Sequence, residues 1–411
     1  MSTAAGQART PKAGMGRVEF ITLMAMLFAM VAFSIDSMLP ALPRMAAELT
    51  PEAPNRAQLI LTFFVIGLGL GTFVMGPVSD AFGRKPVILA SAGLYLIGAA
   101  LATLAQTLEL MLLARALQGL GAAGPRVAGM AVIRDLFAGR EMARIMSFVM
   151  MIFVLFPAVA PLIGAGIIAL SGGWRSVFVA FLVFGSIGAA WMQLRLAETL
   201  PRGNRRPFRA SVVVAAAREA FALPMVRLVT LVLTLCFGMF FAMLQSVQPI
   251  FDQTFGRADT FPVWFFFLSL GVAAASLLNT RLVMRFGMRR IVTVALAVQV
   301  AISGMMLTLS YIALPATWEF ALFLFWQASM FFQAGVTIGN LNAMGMEPLG
   351  HIAGMAASVI GGISTVFAMA LAAPLGLAFD GSIRPLATGV FVLSLLAVLL
   401  MLRLRRVEQM R

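Results

Sequence analysis

The chain has 411 residues, of which 61% are hydrophobic and only 11% charged, and its formal net charge is +14. A soluble domain of this length would not keep so few charged residues, so the composition excludes that class. The basic residues are spread over many short segments, without a patch interleaved with aromatic residues, which argues against nucleic-acid binding.

Apolar runs of about 20 residues, the length that a membrane-spanning helix needs, follow one another along the chain. They are continuous rather than alternating, which favours helices over the strands of a β-barrel. The sequence therefore predicts an all-α membrane protein with twelve transmembrane helices. The predicted spans are 18–39, 57–79, 87–106, 109–132, 144–170, 175–197, 225–250, 262–283, 290–313, 318–341, 352–377 and 384–403.

Span one ends in the segment Ser34–Pro43, which places the acid Asp36 in its outer half. An ionised carboxylate inside the membrane costs about 2.5–3.5 kcal/mol on insertion measurements. We therefore expect Asp36 to face a cavity and to change its protonation state. The alternative is a solvated acid at a helix end, because Pro40 follows closely.

The connection between spans two and three reads Gly76-Pro-Val-Ser-Asp80-Ala-Phe-Gly83-Arg84-Lys85. An acid, a glycine and two bases at this spacing are unusual in so apolar a chain. An ordinary basic turn would explain Arg84 and Lys85, but it would not explain the spacing of the glycines and Asp80.

Span four carries two arginines. Arg115 shares a helix face with Gln118 and stays charged at usable pH, so it is expected to bind a polar group of a substrate or to act as a fixed counter-charge to Asp36. The alternative is a structural arginine bonded to backbone carbonyls. Arg126 follows Gly124-Pro125, which indicates a local break whose carbonyls the guanidinium satisfies. The span leads into Arg134 and Asp135.

The chain divides into two halves. A polar segment, 198–224, separates a predicted first bundle, 1–197, from a second, 225–411, and 210–219 is a candidate interfacial helix. The segment Ala160–Gly164, which includes Pro161, is echoed by Ala373–Gly376. Phe82–Lys85 is echoed more loosely by Phe286–Arg290. Such repeats suggest two parallel six-helix bundles around a central substrate site.

Amides in the second half suit hydrogen-bonding recognition of a substrate, and aromatic side chains suit the apolar wall of a pocket. Packing in the protein interior is the alternative for each of them. The candidates are Gln245, Gln248, Gln327, Trp326 and, in the first half, Phe33.

Four segments together carry a family resemblance: Ser34–Pro43, Gly76–Lys85, Arg115–Asp135 and Pro348–Ser358. They resemble the major facilitator superfamily (MFS), its twelve-span drug:proton antiporters and, within these, the Bcr/CflA-type (bicyclomycin/chloramphenicol resistance) exporters. The resemblance implies two six-helix bundles related by a pseudo-two-fold axis. It also implies proton-coupled efflux of small amphipathic drugs by alternating access, with no enzyme activity and no cofactor besides the proton gradient.

The resemblance also implies roles for residues. Asp36 would carry the proton, and Pro161 and Gly164 would form the antiport motif. The motif usually reads G-P-x-x-G-G, whereas Ala160 and Ala165 replace two of its glycines here, and Arg126 stands one turn before the position, Met130, where the subgroup often has arginine. A gating set would link the two bundles at the inner face: Asp80, Gly83, Arg84, Lys85, Arg134 and Asp135.

Charge predicts the orientation. Segments on the outer side hold only a few bases, namely Arg44, Arg56, Arg175, Arg257 and Arg384. The positive-inside rule then places both termini in the cytoplasm of a multi-pass protein in a bacterial inner membrane. The expected partners are a small-molecule substrate, protons and lipid, and the protein is expected to be a monomer. A single histidine argues against a histidine-rich metal site.

Two other functions remain open from the sequence. One is export of a specific metabolite or sugar by a transporter of the same superfamily. The other is a membrane sensor that transports nothing.

Overall fold

The computed structural model describes residues 15–205 and 207–409, with side chains as far as Arg405. This part of the chain is helical, without a strand. Its α-helices are α1 (Arg17–Asp36), α2 (Leu42–Leu49), α3 (Leu59–Phe82), α4 (Arg84–Leu104), α5 (Leu108–Leu136), α6 (Gly139–Ser171), α7 (Arg175–Arg195), α8 (Ala210–Ala222), α9 (Pro224–Pro249), α10 (Phe261–Phe286), α11 (Met288–Leu309), α12 (Ala316–Met346), α13 (Ala353–Leu377) and α14 (Arg384–Gln409). Short 3-10 helices lie at Leu39–Ala41, Pro54–Gln58, Arg202–Asn204, Ala258–Thr260 and Glu347–Ile352, and a π-helix lies at Ile250–Thr254.

The predicted spans are confirmed, because each coincides with one of the described α-helices other than α2 and α8. Ten helical stretches in the described residues are long and apolar enough to cross a membrane. One of them, Ala316–Leu377, contains both α12 and α13. The helix α5 does not qualify on hydropathy because it carries Arg115, Arg126 and further charged residues. The all-α class with two six-helix bundles is thus as predicted.

The long helices alternate in direction, so their connections lie at two opposite ends of the molecule. We call the end with the connections at 82–84, 136–139, 195–224, 286–288 and 346–353 the linker face. The opposite end, with the connections at 36–59, 104–108, 171–175, 249–261, 309–316 and 377–384, is the far face. The helix α8 lies in the segment for which an interfacial helix was predicted.

The helix α5 is the centre of the first half, packed between α3 and α4. Small residues let the backbones approach closely, as is common between membrane helices. A Cβ atom at Gly119 of α5 would overlap the carbonyl oxygen of Phe64, and one at Gly67 of α3 would overlap that of Ala116. This close packing holds the arginines of α5 at defined positions.

The two halves meet where α3 packs against α13 and where α6 packs against α10. The sequence echo between the halves has a structural counterpart. Gly83, between α3 and α4, has φ 103° and ψ 155°, and Gly287, between α10 and α11, has φ 77° and ψ 153°. Residues with a side chain rarely adopt these dihedral angles, so both turns require glycine.

Candidate functional site

Arg115 is completely buried in the first half and has partners on three helices. Its Nη2 donates to the Ser34 carbonyl of α1 at 2.9 Å, and its Nε donates to the Ile60 carbonyl of α3 at 3.4 Å. On α5 itself, its Nη1 donates to Gln118 Oε1 at 2.5 Å. The guanidinium carbon lies 4.3 Å from the centre of the Phe64 ring, in cation–π contact. Arg115 therefore ties α1, α3 and α5 together.

The helix α4 joins this network through Tyr95, whose hydroxyl lies 2.7 Å from Ser34 Oγ. Gln118 has a buried amide donor, Nε2, for which the described part of the chain offers no hydrogen-bond partner. In the described residues Arg115 forms no ion pair with Asp36. Its observed contacts are those of the structural alternative, and a counter-charge role requires another conformation.

Asp36 is the last residue of α1 and is only 5% exposed. Within the part of the chain that the structure describes, no hydrogen bond or ion pair reaches its carboxyl group. This burial does not fit a solvated helix-end acid. The antiport motif lies next to it, because a Cβ atom at Gly164 of α6 would overlap the backbone carbonyl of Ser37. A carboxyl group with no partner thus lies one residue from a tight helix crossing.

Phe33 belongs to an aromatic cluster of α1, α6 and α7. Its ring centre lies 5.0 Å from that of Phe184, 5.1 Å from that of Phe181 and 5.9 Å from that of Phe156. This packing inside the first half supports the position of α1. In this conformation Phe33 therefore packs in the protein interior, which was the alternative to a role in the wall of a substrate pocket.

Amide side chains converge between the halves near the far face. Gln245 Nε2 donates to Thr62 Oγ1 at 2.9 Å, while its Oε1 has no partner. Both amide atoms of Gln58 are also buried without a partner. Gln248 is buried, and with Gln58 it lines a void of about 30 Å³.

Asn55 adds a second link between the halves at the far face. Its Nδ2 donates to the carbonyl of Phe379 at 2.6 Å and to that of Leu377 at 3.2 Å. We call Asn55 and the Gln245–Thr62 pair the far-face latch. The latch joins α3 and the segment before it to α9 and the end of α13.

The other second-half candidates lie inside their own bundle. Trp326 is 1% exposed, and its Nε1 donates to Ser303 Oγ at 3.0 Å, between α12 and α11. Gln327 Nε2 lies 3.5 Å from Met243 Sδ, and its Oε1 has no partner. Among the described residues, Gln327 therefore retains an unused but buried acceptor, whereas the indole N–H of Trp326 is already bonded.

The gating set forms a charged cluster at the linker face. Arg84 Nη1 pairs with Asp80 and donates to Ser79 Oγ at 2.7 Å, and Arg84 Nε pairs with Asp135 at 3.1 Å. The structure thus brings together Asp80, Arg84 and Asp135. The expected link across the two bundles is not seen, since these contacts join α3, α4 and α5 of the first half.

Glu198, at the start of the linker, completes this cluster. Its carboxylate accepts hydrogen bonds from the backbone N–H groups of Arg84 at 2.9 Å and Lys85 at 3.2 Å. These N–H groups begin α4, where the helix dipole favours an anion. Arg205 Nη2 lies 3.9 Å from the same carboxylate. Lys85 Nζ donates to the Gln193 carbonyl at 2.8 Å.

A cavity of about 200 Å³ lies between the halves next to this cluster. It is lined by α3, α5 and α13 and by Arg84 at the start of α4. The lining residues are Thr72, Gly76, Pro77, Ser79, Asp80, Arg84, Arg126, Val127, Met130, Ala131, Arg134, Gly354, Met355, Ala357 and Ser358. Arg126 lies here, and α5 runs through Pro125 without the predicted break.

Comparison with known proteins identifies the family. Residues 22–373 match the Major Facilitator Superfamily. The chain belongs to this superfamily. The bicyclomycin resistance protein homolog of Haemophilus influenzae is 29% identical over 347 residues, which cover 84% of this chain and 85% of that protein. The chloramphenicol resistance protein of Pseudomonas aeruginosa is 35% identical over 162 residues, 39% of this chain and 38% of that protein.

A solved structure shows the same fold. The crystal structure of a D-xylose-proton symporter has a TM-score of 0.74 and 15% identity, and the match covers 94% of this chain and 97% of that one. The predicted resemblance to Bcr/CflA-type members of the superfamily is confirmed, and the chain is a transporter rather than an enzyme.

Sequence reasoning missed several residues of this candidate site. Glu198 is separated from Arg84 by 114 positions. Tyr95 and Asn55 are ordinary polar residues in or beside apolar runs, and Ser34 begins the segment Ser34–Pro43, which drew attention to Asp36 and not to Ser34 itself. No local pattern marks them, because their partners come from other helices.

Proposed function

We propose that this protein exports small amphipathic drugs across the bacterial inner membrane in exchange for protons. It would work as a monomer, by alternating access, with the linker face in the cytoplasm. The relatives named for bicyclomycin and chloramphenicol resistance support the drug as cargo. The excess of bases at the linker face supports the orientation.

The observation that carries proton coupling is the buried carboxyl group of Asp36, which has no hydrogen-bond or ion-pair partner among the described residues. Ionisation there is costly unless water or a cation approaches, so the group holds a proton when enclosed and releases it when a hydrated cavity opens. A carboxyl group already held by an arginine could not exchange protons as readily. Glu48, near the same end of the molecule, is held in this way by Arg175 at 2.6 Å.

Arg115 is placed to take part in this exchange. It now donates to the carbonyl of Ser34, two residues before Asp36 on the same helix. A small shift of α1 against α5 would let the guanidinium exchange its hydrogen bond to this carbonyl for one to the Asp36 carboxylate. Proton release and helix movement would then be coupled, because each favours the other.

The two ends of the molecule suit alternating access. The far-face latch joins the halves at one end, while the cavity beside Arg126 and Arg134 lies between them near the other. We assign this conformation to the state closed toward the far face. Opening there requires the latch to break.

The test uses the full chain in liposomes that contain a pH-sensitive dye and carry a pH gradient. Addition of chloramphenicol or bicyclomycin should produce a drug-dependent proton flux in the wild-type protein. Asp36→Asn keeps the side-chain shape without a titratable proton, so it should bind drug but lose the flux and all uphill transport. The matched control is Glu109→Gln. Glu109 is an exposed acid at the far face, 4.0 Å from Arg56, and its variant should keep both the proton flux and uphill transport.

The outcomes separate the alternatives. Full gradient-driven transport by Asp36→Asn would place the proton carrier elsewhere. Flux with a sugar but with no drug would indicate a metabolite exporter. A wild-type protein that moves no proton with any compound would indicate a sensor.

A further inference from the structure

The linker-face cavity has an unusual balance of charge. Its charged lining residues are Asp80, Arg84, Arg126 and Arg134. Asp80 pairs with Arg84, which also pairs with Asp135 outside the lining, so the lining itself holds one acid against three arginines. In the described part of the chain, neither Arg126 nor Arg134 has a hydrogen bond or an ion pair. The cavity therefore presents two guanidinium groups without a counter-ion.

These two arginines lie on one face of α5. Arg126, Met130 and Arg134 are spaced at i, i+4 and i+8, and all three line the cavity. A rise of 1.5 Å per residue places Arg126 and Arg134 about 12 Å apart along the helix axis. Arg126 lies deep in the bundle and is half-buried, whereas Arg134 is exposed at the cavity mouth. The two groups thus form a path of positive potential from the mouth inward.

The rest of the lining suits the remainder of an amphipathic molecule. Met130 and Met355 supply flexible apolar surface, and Thr72 and Ser358 supply hydroxyl groups. A volume of about 200 Å³ holds the head of a drug-sized molecule rather than all of it.

We propose that Arg126 and Arg134 form an anion-recognising subsite through which the transporter selects small amphipathic organic anions from the linker-face side. The ligand class is a carboxylate, a phenolate or an ionised sulfonamide attached to an apolar ring system. A guanidinium binds such groups by charge-assisted hydrogen bonds, and a dication is repelled. This inference rests on the proposed export function, because it names the substrate class taken at that cavity.

The test compares two fluorescent probes that differ in one group. Dansylglycine carries a carboxylate, and dansylglycinamide carries a neutral amide in the same position. Binding of each is measured by fluorescence titration to the full chain in a neutral, lipid-free detergent, so that no anionic lipid headgroup competes. The wild-type protein should bind the anion at least about tenfold more tightly than the amide.

Variants assign the preference to the subsite. Arg126→Gln should weaken anion binding about tenfold and change amide binding less than about twofold. Arg126→Lys, which keeps the charge, should retain part of the preference. Arg140→Gln removes an exposed arginine of α6 outside the cavity and should change neither affinity. Arg134 lies at the exposed mouth, where a substitution does not endanger folding, and Arg134→Gln should weaken binding of the anionic probe about threefold.

Equal affinity of the wild-type protein for both probes, or no binding of the anion, would overturn the inference. So would an anion preference that survives in both Arg126→Gln and Arg134→Gln. Anion binding without drug-driven proton flux would support this inference and contradict the proposed export function. Proton flux without anion preference would remove only this inference.

Discussion

Arg115 and Arg126 show how two identical side chains in one helix acquire different properties. Arg115 reaches acceptors on three helices and stacks on Phe64. Arg126, eleven positions along α5, faces a cavity and has no recorded partner in the described residues. The first arginine ties three helices of the first half together, whereas the second faces the cavity in which we propose that an anion binds.

We predict that Arg115→Lys destabilises the protein and that Arg126→Lys does not. Lysine cannot place donors on Ser34, Ile60 and Gln118 at once, so buried acceptors lose their partner. The expected loss is about 2–3 kcal/mol, or a fall of roughly 5 °C in the thermal unfolding midpoint. Scanning fluorimetry of both variants in the same detergent measures it. Equal midpoints for the two variants would contradict the structural role of Arg115.

The crossing of α6 over the end of α1 links the antiport motif to Asp36. This chain has alanine at 160 and 165, where the motif usually has glycine, but it keeps Gly164. Gly164 is the position at which a Cβ atom would overlap the Ser37 carbonyl. The retained glycine therefore sets the distance between α6 and α1 beside the buried acid.

Gly164→Ala should separate the two helices or strain them, because neither backbone can yield locally. Overpacking of this kind costs about 1–3 kcal/mol. The variant should show a lower unfolding midpoint, and in liposomes it should leak protons without drug, since the crossing beside Asp36 opens. Gly166→Ala is the control on the same helix, because a Cβ atom there meets nothing within 4 Å. A Gly164→Ala protein that keeps the wild-type unfolding midpoint and leaks no protons would contradict a role of this crossing in coupling.

The conformation of the whole transporter depends on contacts between its halves. Packing of α3 on α13 and of α6 on α10 spans the interface. Asn55 and Gln245 add directional hydrogen bonds near the far face. Contacts made in one conformation only bias the equilibrium toward it.

Asn55→Ala should shift the population toward opening at the far face. Loss of two hydrogen bonds amounts to about 1.4 kcal/mol, or about a tenfold change in the equilibrium. Opening at the far face can be measured with a single reporter cysteine. Cys236 is the one cysteine of the chain, so Cys236→Ser removes it and Gln248→Cys places a new cysteine at a buried far-face position. Its labelling by an impermeant maleimide should become about tenfold faster. Asn342→Ala, whose amide bonds only within α12, is the control, and equal rates in both would count against the latch.

The amino-acid sequence alone was enough for the helices and the family. Continuous apolar runs leave no other way to satisfy the backbone in lipid, and the loop motifs are local in the chain. It also predicted a gating set that includes Asp80, Arg84 and Asp135, although the contacts of these three residues join helices of the first half and not the two bundles. Only the tertiary structure decided which partners those charges have. It also decided that Arg115 is bonded to carbonyls, that Asp36 has no partner among the described residues, and that Arg126 faces a cavity. These outcomes depend on which helix packs against which, and no pattern within a single helix encodes the neighbour that its polar face will meet.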